Sequence, residues 1–381
     1  MKKINVALVG LAFGGFFSEI YQLHPNVGEL ILFDTDKERE ENLCRRLGIT
    51  KRVDTFEDIL RDPGIDAVHL VTPFPQHEEQ SLGVLRSGKH CASTVPMGLT
   101  LNGIEKIIRE VKESGKNYMM METTLYTYPF FYAKQMLEKG AFGRLQFLRG
   151  YHYQDMTKWP DYWLGLPPMY YSTHAFAPIA MLSGARIKRV QCFGSGSMNP
   201  AYTDCYGNSW PVESALVEFE NGLKGEVTRS LFETAREYVE GFNIYGSKKT
   251  FEWGFKDNEN PLITTLHPPM EGNRGGTSST VTAVMGDYSK SLPEEIRKFT
   301  IGGGDFDPLN PHKSWSKELG AGHHGSHPHL VHEFLSSILE ERKPRIDERI
   351  GANITAAGIC AHESAMRGGE SILVPEFNLI M

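Results

Sequence analysis

The chain has 381 residues, 40% of them hydrophobic and 23% charged, with a formal net charge of −7. That length allows two domains with sizeable cores, the composition is that of a soluble globular protein, and the acidic balance argues against a nucleic-acid partner. No stretch is apolar enough to span a membrane. The cysteines, Cys44, Cys91, Cys192, Cys205 and Cys360, form no CxxC pair, and Met-Lys-Lys runs straight into a strand, so a cytoplasmic protein with free thiols is expected.

The first predicted element is the strand Ile4 to Val9, short, β-branched and apolar like a strand buried on both faces. Gly10-x-Ala12-x-x-Gly15 follows, then a helix-length segment and a second apolar run ending at Asp34. Gly10 suits the tight turn, Ala12 still allows close backbone approach, and Gly15 is expected to let the helix sit close to the strand. Free N–H groups at the helix start, around Phe13 and Gly14, would face a pyrophosphate. Asp34 stands where a carboxylate binds both ribose hydroxyls and repels a 2′-phosphate. The unit therefore predicts bound NAD rather than NADP.

Strand and helix signals go on alternating to about residue 122. Asp66 to Thr72 reads as a strand, followed by Pro73 and a helix through Arg86. Lys89 to Ala92 is a short strand. Leu101 to Ser114 is an amphipathic helix with Ile104, Ile107, Ile108 and Val111 on one face. Tyr118 to Met121 is a strand that leaves Glu122 at the carboxyl edge of the sheet, where open α/β folds bind ligands; a structural cap is the alternative. The alternation predicts a doubly wound parallel sheet over residues 1–122.

The texture then changes. Phe130 to Lys139 reads as a helix stopped by Gly140. Leu145–Tyr153, Arg189–Ser195, Ser214–Glu220, Gly225–Leu231 and Phe242–Tyr245 read as strands of an open, mostly antiparallel sheet. Residues 254–322 are rich in Gly, Pro, Ser and Asn and read as an irregular loop region. Leu330 to Glu340 and Ile350 to Met366 are helical. Residues 123–381 are expected to form one α/β domain for substrate binding and oligomerisation.

These motifs, in this order, resemble the Gfo/Idh/MocA family of sugar-type oxidoreductases over nearly the whole chain. Thr72-Pro73-x-x-x-His77 resembles the family's segment beside the nicotinamide ribose, and Thr94-Val95-Pro96 lies where the family usually reads Glu-Lys-Pro. Gly140-Ala-Phe-Gly143 is similar to the turn opening the second domain. Tyr171-Ser-Thr-His174 lies at the Asp-x-Gly-x-His motif, and Gly322-His-His-Gly-Ser-His-Pro328 resembles a late Gly-His-Gly-Gly-Ser-Asp-Pro segment. The resemblance implies NAD as cofactor, held by Gly10, Ala12, Phe13, Gly14, Gly15, Asp34, Thr72, Pro73, His77, Thr94 and Pro96. It also implies a small carbohydrate substrate, His174 in acid–base catalysis, and a homodimer or homotetramer built on the open face of the second sheet.

One departure matters chemically. The family lysine that exchanges a proton with the substrate hydroxyl is Val95, and its usual aspartates near the histidine are Tyr170 and Ala177. The NAD-dependent α-N-acetylgalactosaminidases, a branch reading Glu-Val-Pro at that site, are similar around Met120-Met-Glu122-Thr-Thr-Leu-Tyr126, Gly150-Tyr-His-Tyr-Gln-Asp155 and Tyr171-Ser-Thr-His174. They cleave glycosides by transient C3 oxidation, elimination, water addition and hydride return.

Three readings follow: a sugar or cyclitol oxidoreductase, an NAD-retaining glycosidase or lyase, and a non-catalytic NAD-binding protein. The catalytic candidates are His174, Tyr171 and Glu122, and the substrate-binding candidates are Tyr153, Asp155, Trp163, Arg236 and His323. His323, His324, His327, His329 and His332 are dense, but carboxylate and thiolate partners are missing nearby, and no metal is expected.

Overall fold

The computed structural model describes residues 2–203, 206–256, 259–272, 274–300 and 322–377. The chain divides into two compact units: Met1–Thr127 with Asp287–Ala352 and Phe377–Met381, and Tyr128–Gly286 with Asn353–Glu376.

The first unit is built on a five-stranded parallel sheet. Its strands are β1 (Ile4–Val9), β2 (Val27–Phe33), β3 (Ala67–Leu70), β4 (His90–Ser93) and β5 (Tyr118–Met120), in the order β2-β1-β3-β4-β5. Every side chain of β3 and β5 is buried, as expected where helices cover both faces. Helix α1 (Leu11–Leu23) returns the chain from β1 to β2. Helix α2 (Lys37–Leu47) starts on an Asp36 cap and stops at left-handed Gly48. The helix Leu101–Ser114 buries Ile104, Ile107, Ile108 and Val111, the face its periodicity predicts.

Of the described residues, 287–300 and 322–352 group with this first unit, whereas the sequence alone places everything after 122 in the second domain. The reason is packing: on the helix His327–Leu339, the His327 ring lies 4.4 Å from that of Phe17, and His332 Nδ1 is 3.1 Å from His24 Nε2.

The second unit carries a nine-stranded sheet, ordered β13-β12-β11-β10-β6-β9-β8-β7-β14. The strands are β6 (Leu145–Tyr153), β7 (Ile187–Ser195), β8 (Val212–Phe219), β9 (Lys224–Ser230), β10 (Val239–Gly246), β11 (Lys249–Glu252), β12 (Leu262–His267), β13 (Thr277–Thr282) and β14 (Ile372–Leu373). Only β6 and β9 pair in parallel; the remaining neighbours are antiparallel. A helix, Thr173–Ser183, packs on β6, β9 and β10.

The hairpin β12–β13 falls inside the stretch that reads as an irregular loop. Every residue of β13, Thr-Ser-Ser-Thr-Val-Thr, is exposed, so no apolar alternation marks it. Residues 301–321 of that stretch, and Cys205, lie outside the described residues. Cys44, Cys91, Cys192 and Cys360 are buried free thiols. Among the described residues, no helix is long and apolar enough to cross a membrane.

Candidate functional site

In the first unit, the carboxyl ends of β1, β2, β3 and β4 collect the cofactor candidates. Gly10 sits at φ +85°, and a Cβ there would lie 2.5 Å from the Val71 carbonyl oxygen. Only glycine takes this turn without strain. The close approach of α1 falls on Gly14, where a Cβ would come 3.1 Å from Val71 Cβ. At Gly15 it would meet only Leu43 Cδ2, at 3.8 Å. The packing role read for Gly15 therefore belongs to its neighbour.

Beyond the turn, α1 begins without a side-chain cap from Gly10 or any acidic residue in its first turn. Ala12 and Phe13 are exposed there. The N–H groups of that first turn beyond Leu11, with no acidic residue in the turn itself, fit a pyrophosphate. Asp34 is buried at the end of β2, where its carboxylate accepts from the Leu11 N–H at 2.6 Å and from the Asp36 N–H at 2.8 Å. The Arg39 guanidinium is 3.2 Å from the same carboxylate. This carboxylate thus ties the phosphate turn to the strand whose end would hold a ribose.

His77 joins the other cofactor candidates. Its Nε2 lies 2.9 Å from the Thr72 carbonyl and its Nδ1 lies 2.8 Å from the Pro96 carbonyl. Burial pulls its pKa down, and the two carbonyls work against that shift. Thr94 Oγ1 is 3.4 Å from His77 Nε2. Thr72, Pro73, His77, Thr94 and Pro96 are thus held as one piece. Val95, within it, is buried. Glu122 is also buried, and its Oε1 accepts from the Thr124 N–H and hydroxyl, so it does cap a turn, Thr123–Tyr126. The NAD-compatible cradle fits the group the sequence predicted.

In the second unit, the helix Thr173–Ser183 crosses β6 so closely at Gly150 that a Cβ there would collide with the Ala175 carbonyl. That approach brings His174, one residue earlier, beside His152 of β6, with ring centroids 5.1 Å apart. Register does the rest: His152 pairs directly with Glu240 of β10. Glu240 Oε1 lies 3.9 Å from His152 Nε2 and 3.7 Å from His174 Nε2. The three residues are only 1%, 3% and 2% exposed in the order His152, His174, Glu240, so water contributes little to solvating the carboxylate. The Tyr238 hydroxyl donates to Glu240 Oε1. Tyr171 lies against His174, 5.6 Å between centroids, and against Trp163 at 4.7 Å.

Arg229, fully buried, fixes the surroundings. It donates to the carbonyls of Tyr171, His152 and Ser230 and to Gln154 Oε1. Burial pulls its pKa down to about 10, against the opposing pull of Tyr171, Tyr238 and Glu240. Two imidazoles around a buried carboxylate can relay a proton, hold a hydroxyl or ligate an ion.

Of the sequence candidates, His174, Tyr171 and Trp163 come together in this cluster. Tyr153 does not: alternation along β6 turns it to the face opposite His152, near Tyr151 and 5.7 Å from the Arg236 guanidinium. Arg236 donates to the Phe255 carbonyl and sits over the Phe255 ring. Asp155 is exposed, and its carboxylate accepts from the Thr157 N–H and hydroxyl in a local turn. His323 belongs to the first unit, its ring 5.8 Å from Phe13 at the start of α1. Glu240, Tyr238 and Arg229 were not singled out from sequence. A charged residue inside an apolar strand, Val239-Glu-Gly-Phe-Asn-Ile, was the available signal for Glu240.

Residues 4–122 match the family model for the oxidoreductase family with an NAD-binding Rossmann fold. Residues 130–252 match the GFO/IDH/MocA C-terminal domain. The chain is 26% identical over 243 residues to a scyllo-inositol 2-dehydrogenase (NAD(+)) of Bacillus subtilis, covering 60% of this chain and 67% of that one. It is 22% identical over 344 residues to a glycosyl hydrolase family 109 protein of Saccharopolyspora erythraea, covering 85% and 70%. A levoglucosan dehydrogenase solved with NADH and L-sorbose superposes with a TM-score of 0.77 at 20% identity, over 99% of this chain and 100% of that one, a likeness of fold.

Proposed function

The chain belongs to the Gfo/Idh/MocA oxidoreductase family, and from that premise we propose that it oxidises a hydroxyl of a sugar or cyclitol by hydride transfer to NAD. We assign NAD to the first unit and the carbohydrate to the second. The observation that carries the reading is the buried His152–His174–Glu240 cluster, with the Tyr171 ring against His174 and the Trp163 ring against Tyr171. Aromatic faces pack on the C–H faces of sugars, and the cluster is suited to receive a hydroxyl and its proton.

Bound NAD supplies the hydride acceptor. The carbinol carbon loses its hydride, the hydroxyl proton passes to the imidazole–carboxylate cluster, and a ketone remains. Val95 has no titratable group, so this work falls on the cluster rather than on a lysine. The relatives named for inositol and levoglucosan oxidation support a polyhydroxylated ring as substrate.

Val95 and the relatives named glycosyl hydrolase family 109 favour a second reading. There the same oxidation acidifies the neighbouring C–H, the glycosidic substituent is expelled, water adds, and the hydride returns. A panel of free sugars, cyclitols and aryl glycosides, followed for NADH absorbance and aglycone release together, tests both. NADH formed in proportion to substrate is expected from the first reading. Aglycone release without NADH would replace it by the second, and silence in both channels with NAD bound would overturn both.

We also propose a homo-oligomer. Phe193, Leu216 and Leu373 are exposed, and the pairings Gln191–Leu216 and Arg189–Leu373 put them on one face of the sheet. Light scattering is expected to give a dimer or tetramer; a monomer at micromolar concentration would contradict this.

A further inference from the structure

We propose that His152, His174 and Glu240 form a binding site for one divalent transition-metal cation, with zinc the best fit by donor type. The sequence alone predicts no metal, and its dense histidines lie at 323–332. Folding assembles the donor set elsewhere.

The geometry is the first argument. The three candidate donor atoms all lie within 4.8 Å of one another. Zinc holds imidazole nitrogen and carboxylate oxygen at about 2.0–2.2 Å, so ligands sharing one ion stand roughly 3.4 Å apart. The Glu240 separations of 3.9 and 3.7 Å are longer than a hydrogen bond and close to that spacing.

The second argument is placement. The donors come from three elements, two of them fixed opposite each other by strand register and the third by the tight crossing at Gly150. Arg229, bonded to the His152 carbonyl, and Tyr238, bonded to Glu240, are outer partners of the kind that orient ligands. Among the described residues, no other group of three such donors is assembled.

Two imidazoles and one carboxylate leave coordination positions for oxygen, as in open zinc sites. Those positions suit a hydroxyl or carbonyl oxygen of a carbohydrate. This role, though not the binding itself, rests on the sugar-oxidising reading. An ion there would hold the imidazole lone pairs itself and lower the pKa of a bound hydroxyl, so that the proton leaves to solvent rather than to the ligating histidines, the task that Val95 cannot perform.

The test uses the untagged full-length protein, stripped with a chelator and titrated with zinc against a chromogenic chelator. One equivalent is expected to bind. His174→Ala and the nearly isosteric Glu240→Gln are each expected to weaken it by about 100-fold or more, while the double variant His323→Ala/His324→Ala stays within about three-fold. Binding well below one equivalent, or loss that follows His323 and His324 instead, would overturn the proposal. Cobalt(II) absorption of the wild-type protein reads the site without any substitution. Intense visible bands of a low-coordinate nitrogen-ligated ion are expected, and the weak spectrum of the aqueous ion would count against it. Undiminished NADH formation by the stripped protein would remove the ion's part while leaving hydride transfer in place. Stoichiometric binding without turnover of any sugar would keep the site and remove that reading.

Discussion

His174→Ala is expected to lower turnover by about 10²–10⁴-fold while NAD affinity stays within a few-fold. The residues proposed to hold NAD all belong to the first unit, whereas His174 belongs to the second. Its ring sits within 3.7 Å of Glu240 and packs on His152 and Tyr171. Removing it takes away one of the two imidazoles around the buried carboxylate. Alanine suits the helix that carries it, so the backbone has little reason to change. Steady-state kinetics with a fluorescence titration of NAD reads the two effects separately. A variant with lowered melting temperature but wild-type turnover would show a structural histidine and remove it from the mechanism.

Gly10→Ala is expected to weaken NAD binding by about 100-fold or more, with a loss of stability beyond the ~1 kcal/mol set by a positive φ alone. The methyl group would meet the Val71 carbonyl oxygen at 2.5 Å, and that oxygen belongs to backbone that cannot swing aside. The turn would have to open, moving the start of α1 away from β3. Gly15→Ala is the control: its Cβ has only Leu43 Cδ2, at 3.8 Å, within reach. Near-wild-type NAD affinity is expected there. If Gly10→Ala binds NAD normally, or Gly15→Ala is the more damaging change, the cradle is wrongly drawn. Isothermal titration of both variants decides it.

Much of the first unit was legible because its signals are local. A buried strand, a glycine turn, a helix and a terminal aspartate are all written within Ile4 to Asp34, and the alternation continues to β5. The glycine assignment failed by one residue because helix phase, not motif position, decides which glycine faces Val71. The second unit was less legible. Strands with clear apolar alternation were read, but the exposed hairpin β12–β13 carries no such pattern.

The cluster itself depends on contacts far apart in sequence. His174 was found through resemblance, yet its partner Glu240 comes from an antiparallel register between β6 and β10 that no local pattern encodes. Strand alternation separates His152 from Asp155, and the structure keeps His152 buried and leaves Asp155 outside in a turn. Asp34 shows the reverse case. Its position was legible, but not that its carboxylate also receives the Leu11 N–H and the Arg39 guanidinium.

The central claim is hydride transfer from a carbohydrate carbon to NAD. A sugar or cyclitol from the active panel, deuterated at the carbon to be oxidised, tests it most directly when mixed with NAD-loaded protein and the cofactor is examined by mass spectrometry. One deuterium is expected in the nicotinamide ring of the reduced cofactor, with a slower reaction than for the protiated substrate. Product formed with no deuterium ever reaching the cofactor, and at an unchanged rate, would contradict it.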